Sequence, residues 1–356
     1  MPNRPLDLLV CVERGAGIEP AWPGWKARDF KRHLDCSAPS RADAVPCRPC
    51  ALAIARPRIL RHHAGMSAAI PPPTARTAVL EDGRRISWAE YGSISGAPLV
   101  LLHGTPGSRL QFQRFHGPAT AAGVRIVTPE RPGYGLSDPV PGGVTFTRYA
   151  DDLRQLLDHL ELPTVTMSGA SGGGGFALVA AIVHPERVRR LLLVSAAVPA
   201  PRSARRGMAP PVRVLLFLAR HAPWLAQRLM AQQQTADLDA PVSKWAIGRM
   251  PAADQRAFAD PTWRSDFIED GHEALRQGAG AAVQDLRLGS GTLGVDLADL
   301  TVDTVLLHGT EDVNVPIGIA RWLAAQVPSS RVIEVPDAAH LFALERPDLI
   351  LDSVVR

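Results

Sequence analysis

The chain has 356 residues, 46% of them hydrophobic and 21% charged, with a formal net charge of +4. That apolar content can fill a sizeable core and excludes a wholly disordered, collagen-like or coiled-coil chain. No run reaches the roughly 18 apolar residues of a membrane span; the longest clean one, residues 176–183, has eight.

The charge is unevenly spread. Residues 1–65 hold 11 Lys/Arg and 6 Asp/Glu, a net of +5, so residues 66–356 carry a net of −1. The basic balance therefore belongs to the N-terminal segment and does not predict a nucleic-acid partner for the rest. All four cysteines, Cys11, Cys36, Cys47 and Cys50, also lie in the first 65 residues. Cys47 and Cys50 have C-x-x-C spacing, but a zinc site wants a second close pair, and Cys11 and Cys36 do not form one. No metal or organic cofactor is expected. The segment shows no sustained period of 2 or 3.6 residues and no signal-peptide pattern. Its stretch ERGAGIEPAWPGWK at 13–26 has the character of translated upstream DNA. The expectation is an extension over 1–65 that is unstructured or the product of a start codon assigned too early, with the protein proper starting at Met66. Cysteine-free residues 66–356 are compatible with a reducing compartment, and the cytoplasm is the expected location.

From residue 76 the pattern becomes regular. Two β-like runs between 76 and 90 flank Glu81-Asp82-Gly83 and predict a hairpin. Residues 98–102 (PLVLL) read as a buried strand ending at His103-Gly104. A helical region and a short strand at 124–128 follow. Over 147–160, Tyr149, Leu153, Leu156, Leu157 and Leu160 share one helical face. Residues 164–167 form a strand running into a glycine cluster, and 176–183 a buried helix closed by His184-Pro185. Strands are predicted at 191–195, 304–307 and 331–335, with a helix at 317–326. Alternating strands and helices with continuous apolar strands indicate a mostly parallel sheet covered on both faces. Residues 199–298 differ in character. They read as helical stretches, such as 212–229, carrying Phe217, Trp224, Trp245, Phe258, Trp263 and Phe267. The domain reading is an α/β core over 66–198 and 299–356 with a helical cap inserted at 199–298. The cap aromatics pack together or line a pocket.

Gly169-Ala170-Ser171-Gly172-Gly173 matches G-x-S-x-G and sits between a strand and a helix, as a nucleophile elbow requires. Gly169 and Gly173 relieve crowding between strand and helix, and the helix N-terminus favours developing negative charge at Ser171. A serine hydroxyl needs a base, and the base an orienting acid. His340, in Pro336-Asp337-Ala338-Ala339-His340, and Asp312, in His308-Gly309-Thr310-Glu311-Asp312, both follow strand ends. The order Ser171, Asp312, His340 suits this arrangement. Glu311 and Asp337 are the competing carboxylates. In His103-Gly104-Thr105-Pro106-Gly107, a loop after an early strand must bring a backbone N–H beside the nucleophile. The oxyanion hole is assigned to the amides of Thr105 and Gly172, one donor contributing roughly 3–4 kcal/mol. Gly104, Pro106 and Gly107 support the loop, and His103 braces it rather than acting as a base.

Together and in order, HGTPG at 103–107, PERPGYGLSD at 129–138, GASGG at 169–173, HGTED at 308–312 and PDAAH at 336–340 resemble the α/β-hydrolase fold superfamily over about residues 75–356. The resemblance implies a mostly parallel central sheet flanked by helices, with an inserted helical cap, and a serine hydrolase whose triad is Ser171, Asp312 and His340. Two departures stand out: Glu130 where the family often has Asp, and Ala338-Ala339 where glycine is usual. The expected function is cleavage of a carboxylic ester of a small, apolar substrate through an acyl-enzyme. A proline-iminopeptidase-like aminopeptidase is the alternative, because HGTPG is similar to the HGGPG loop of those enzymes. An aspartate nucleophile, as in epoxide hydrolases and dehalogenases, does not match Ser171. Gly172 stands where haloperoxidase relatives usually carry methionine. A non-catalytic small-ligand-binding protein on this fold is the competing class.

Overall fold

The computed structural model describes residues 74–234 and 237–355. The N-terminal extension, its cysteines and Met66 lie outside them.

Strands β1 (Arg76–Val79) and β2 (Arg85–Gly92) form the antiparallel hairpin, turning where Gly83 N–H donates to Leu80 O (2.9 Å). Then come β3 (Ala97–Leu102), α1 (His116–Ala122), β4 (Val124–Pro129), α2 (Phe146–His159), β5 (Val165–Ala170), α3 (Gly173–Val183) and β6 (Val188–Val194). Six helices follow: α4 (Pro210–His221), α5 (Pro223–Gln234), α6 (Pro241–Ile247), α7 (Ala252–Ala259), α8 (Pro261–Ala274) and α9 (Gly280–Gly289). The chain re-enters the sheet with β7 (Thr304–Gly309), α10 (Gly318–Gln326) and β8 (Ser330–Val335), and ends in α11 (Phe342–Glu345) and α12 (Pro347–Val355). The sheet order is β1-β2-β4-β3-β5-β6-β7-β8, parallel from β4 onward.

The strand period of two sorts the core onto two faces. Val100, Leu102, Leu191, Leu193 and Leu306 pack with α2, α3 and α10. Their alternates Leu99, Leu101, Leu192, Val194, Val305 and Leu307 pack with α1 and α12. The continuous apolar strands of the sequence are thus central strands buried on both sides. β8 departs from that expectation: it is the sheet edge, and its residues are half-buried or exposed.

The helical insert between β6 and β7 holds two corrections. The helix expected over 212–229 is two helices, because Pro223 has no N–H to give and its ring clashes with the preceding turn; α4 ends at His221. Of the six aromatics, Phe258 and Trp263 are buried and Phe267 stacks on Trp263. Phe217, Trp224 and Trp245 are instead 61%, 69% and 60% exposed; Phe217 lies against His221 and Trp245 under Arg249, both at the surface of the insert. Among the described residues no helix is long and apolar enough to cross a membrane.

Candidate active site

β5 stops at Ala170 and α3 starts at Gly173, so Ser171 sits on the tight turn between them with φ +48°. A left-handed backbone costs a non-glycine residue about 1–2 kcal/mol. Three hydrogen bonds hold it there. Ser171 N–H donates to Val194 O (3.0 Å), and Ser171 O accepts from Gly174 N (2.9 Å) and Ala197 N (2.8 Å). The crossing is tight: a Cβ on Gly169 would stand 2.5 Å from Gly173 O, and one on Gly173 2.6 Å from the carbonyl oxygens of Leu102 and His103.

The loop after β8 brings His340 to this turn. Its Nε2 lies 3.0 Å from Ser171 Oγ, and its Nδ1 2.8 Å from Asp312 Oδ2. The other oxygen of Asp312 accepts the N–H groups of Asn314 (2.9 Å) and Val315 (2.8 Å), which fixes the carboxylate beyond β7. Burial pulls the His340 pKa down, but the adjacent Asp312 carboxylate and its hydrogen bond outweigh it, and the net shift is upward. Burial pushes Asp312 up, and the His340 partnership overcomes that, holding it below its usual value. The pair favours carboxylate and imidazolium. Glu311 and Asp337, the competing carboxylates, make no hydrogen bond to the imidazole.

The 103–107 loop faces the turn from the other side. His103 is fully buried; its Nδ1–H donates to Gly104 O (2.9 Å) and its Nε2 accepts from Arg131 N (3.2 Å). Burial first, then the Arg131 charge, press its pKa well below the ordinary value, so it is neutral. Gly104 O also accepts from Arg131 Nη2 (2.7 Å). In a trans peptide the C=O and the following N–H point opposite ways. Pinning Gly104 O to Arg131 therefore turns Thr105 N–H away from that guanidinium. Gly172 occupies the N-cap of α3, where backbone N–H groups have no intrahelical acceptor. A Cβ on Gly172 would stand 3.2 Å from Thr105 N and 2.1 Å from Thr105 Oγ1. The two amide-bearing residues are in direct contact. Pro106 lines the same cavity, and Gly107 leaves space for Gln111, whose Oε1 accepts Gly104 N–H (2.7 Å).

Several residues brace this arrangement that sequence reasoning did not single out. Gln111 Nε2 donates to Asp270 of α8 (3.1 Å), which also accepts from Ser108 N and Oγ (2.8 and 2.7 Å). Burial pushes the Asp270 pKa up to about 7. Asp285 of α9 accepts from Arg131 Nε (2.9 Å), Tyr134 Oη (2.7 Å) and Thr105 Oγ1 (3.1 Å). Asp254 of α7 accepts Leu341 N–H (2.8 Å), next to His340. Arg131 and Tyr134 lie within PERPGYG, so a signal existed for them; the aspartates sit in a region whose pairing no local pattern reveals. Glu130, in place of the shorter Asp, spans from Arg109 (2.8 Å) to Leu136 N (2.8 Å). The extra methylene reaches the turn, and Gly135 leaves it space: a Cβ there would fall 1.9 Å from Glu130 Oε1.

Ser171 and His340 open into a cavity of about 400 Å³ between the loops and the insert. Its walls are mainly apolar, among them Met208, Leu215, Met230, Phe258, Phe267 and Leu275.

The α/β hydrolase fold family model matches residues 97–347, and the chain belongs to that family. The dihydrolipoyllysine-residue acetyltransferase component of an acetoin-cleaving system from Pseudomonas putida is 28% identical over 274 residues, 75% of this chain and 65% of that one. The chain thus spans less than two thirds of that relative's length. A 2-hydroxymuconate semialdehyde hydrolase from the same species is 27% identical over 289 residues, covering 80% of this chain and 94% of the relative. Among solved structures, an esterase from Exiguobacterium antarcticum superposes with a TM-score of 0.59 over 79% of this chain and 98% of that one, at 22% identity. That likeness is one of fold.

Proposed function

We propose that the chain is a serine hydrolase that cleaves a carboxylic ester of a small, largely apolar substrate through an acyl-enzyme. The observation that carries this reading is the hydrogen-bonded line from Ser171 Oγ through His340 to Asp312, opening on an apolar cavity. His340 Nε2 takes the Ser171 proton as Oγ attacks the ester carbonyl. Asp312 holds the imidazole with Nδ1–H toward itself and stabilises its cation. The Thr105 and Gly172 amides receive the oxyanion. His340 returns the proton to the leaving alkoxide, then activates the water that frees the acid. The insert serves as the cap that closes the cavity from water and selects the acyl or alcohol group.

The test is intact mass after fluorophosphonate treatment, beside Ser171→Ala. One adduct on the parent and none on the variant, with turnover of short acyl esters, is the expected result. A folded parent that takes no adduct overturns the reading and favours a ligand-binding protein on the same fold.

A further inference from the structure

One charged group in the cavity has no partner. Arg205, in the turn between β6 and α4, lines the same cavity as Ser171 and His340. Its Nε is buried and makes no hydrogen bond. Among the described residues no carboxylate lies within 4 Å of its guanidinium.

The surrounding chain is fixed. Ala204 N–H donates to Pro201 O (3.1 Å), Met208 N–H to Arg205 O (3.2 Å) and Ala209 N–H to Val313 O (2.7 Å). Ala204 itself is buried, and its carbonyl lies so near Gly318 that a Cβ there would come within 2.7 Å. Apolar Val198, Met208, Val212 and Ile319 line the cavity with it. The side chain is half-buried, and its Nε–H, buried without an acceptor, is costly to leave unpaired.

The other charges at the cavity do not meet this need. Asp254 is held by Leu341 N–H, and Asp270 by Ser108 and Gln111. One oxygen of Asp285 is also buried without a partner, but Arg131 at 2.8 Å balances its charge. Arg205 has no such counter-charge. The missing piece is an anion with acceptor oxygens, and a single guanidinium fork matches one carboxylate.

Building on the hydrolase reading of Ser171, we propose that Arg205 is the anion-binding residue of the substrate pocket, and that the substrate carries a carboxylate besides its scissile ester. Such a substrate is a half-ester: an apolar body with the reacting carbonyl at Ser171 and a carboxylate at Arg205.

The test uses three 4-nitrophenyl esters of equal chain length: the hexanoate, the monoadipate and the 6-aminohexanoate. With the parent, the monoadipate has the highest kcat/KM. Arg205→Gln lowers its kcat/KM about 10- to 100-fold, as loss of a charge-assisted pair does. The loss falls in KM and is at least about fivefold larger for the monoadipate than for the hexanoate, and Arg205→Lys recovers part of it. An equal loss on all three esters, or a preference for the 6-aminohexanoate, overturns the proposal. A second arm needs no turnover: calorimetric binding of adipate, hexanoate and hexyl phosphate to Ser171→Ala, with and without Arg205→Gln. Adipate binding that depends on Arg205 upholds the anion site even if no ester is cleaved, in which case the hydrolase reading fails alone. Hexyl phosphate binding more tightly than the carboxylates replaces the carboxylate with a phosphate and overturns the half-ester assignment.

Discussion

Gly172→Ala is the smallest change that probes the proposed oxyanion arrangement. The added Cβ would stand 2.1 Å from Thr105 Oγ1 and 2.8 Å from Thr105 Cβ. Restoring ordinary contact near ~3.5 Å moves Thr105 by about 1 Å or more. Rotating the hydroxyl offers no escape, because it accepts from Arg131 Nη2 (3.1 Å) and donates to Asp285 (3.1 Å). The loop moves with it. A Thr105 N–H withdrawn by about 1 Å no longer reaches an oxyanion that Gly172 N–H still holds. Losing one such donor costs roughly 3–4 kcal/mol in the transition state, a fall of about 10²- to 10³-fold in kcat with KM little changed. Steady-state kinetics on a neutral ester, with thermal melting to check folding, reads this directly. Thr105→Gly in the same chain removes both clashing atoms, so the double variant should regain at least about tenfold over Gly172→Ala, despite its own lost hydrogen bonds. If Gly172→Ala keeps kcat within about threefold of the parent, or the second change brings no recovery, the contact does not control the donor.

Ser171→Ala should abolish both turnover and the fluorophosphonate adduct, whereas Ser168→Ala, in the buried strand β5, should keep both; equal losses would remove Ser171 from its role. Because Asp312 holds the His340 pKa above the ordinary histidine value, kcat/KM should rise with pH through a midpoint above 6.5. Asp312→Asn should lower that midpoint and cut kcat on the order of 10⁴-fold, and an unmoved midpoint would refute the coupling. Asp270 binds its proton more tightly folded than unfolded, so its contribution to stability is full below about pH 4 and declines up to about pH 7. Asp270→Asn should therefore gain on the parent by a few kcal/mol between pH 4 and pH 8 in urea melts, and a pH-independent difference would refute it.

The strands β3, β6 and β7 were readable because they carry unbroken apolar runs at 99–102, 191–194 and 305–307, and burial on both faces leaves no other use for such a run. The Ser171, Asp312 and His340 positions were readable for a related reason: each follows a strand end, and strand ends in a parallel sheet point to one edge. β8 was readable as a strand at 331–335 but not as the sheet edge, since its mixed pattern says nothing of depth. The insert resisted further. Trp224 and Trp245 look like core residues by type, yet residue type does not say which face of an amphipathic helix turns inward when the partner helix is unknown. Arg205 sits in a Pro/Ser/Arg turn of solvent-like composition, and only the fold brings it to the cavity wall.

The polar residues of the insert join the cavity wall to the loops around Ser171 and His340. Three aspartates on three successive helices reach the loops around Ser171: Asp254 the loop after β8, Asp270 and Asp285 the loop after β3, and Asp285 also the loop after β4. Asp254 of α7 holds the amide beside His340. Asp270 of α8 holds Ser108 and, through Gln111, the Gly104 amide. Asp285 of α9 holds Thr105 and the Arg131 that turns the Gly104 carbonyl. These same helices supply the apolar wall of the cavity. Each aspartate spends burial energy that only its donors offset, so a shift of one helix leaves a buried carboxylate short of partners. On the proposed function, the walls that would select the substrate and the loops that would orient the reacting groups therefore share their supports. A change in the insert made to alter specificity acts on kcat as well as KM, in proportion to how far it displaces one of these three carboxylates.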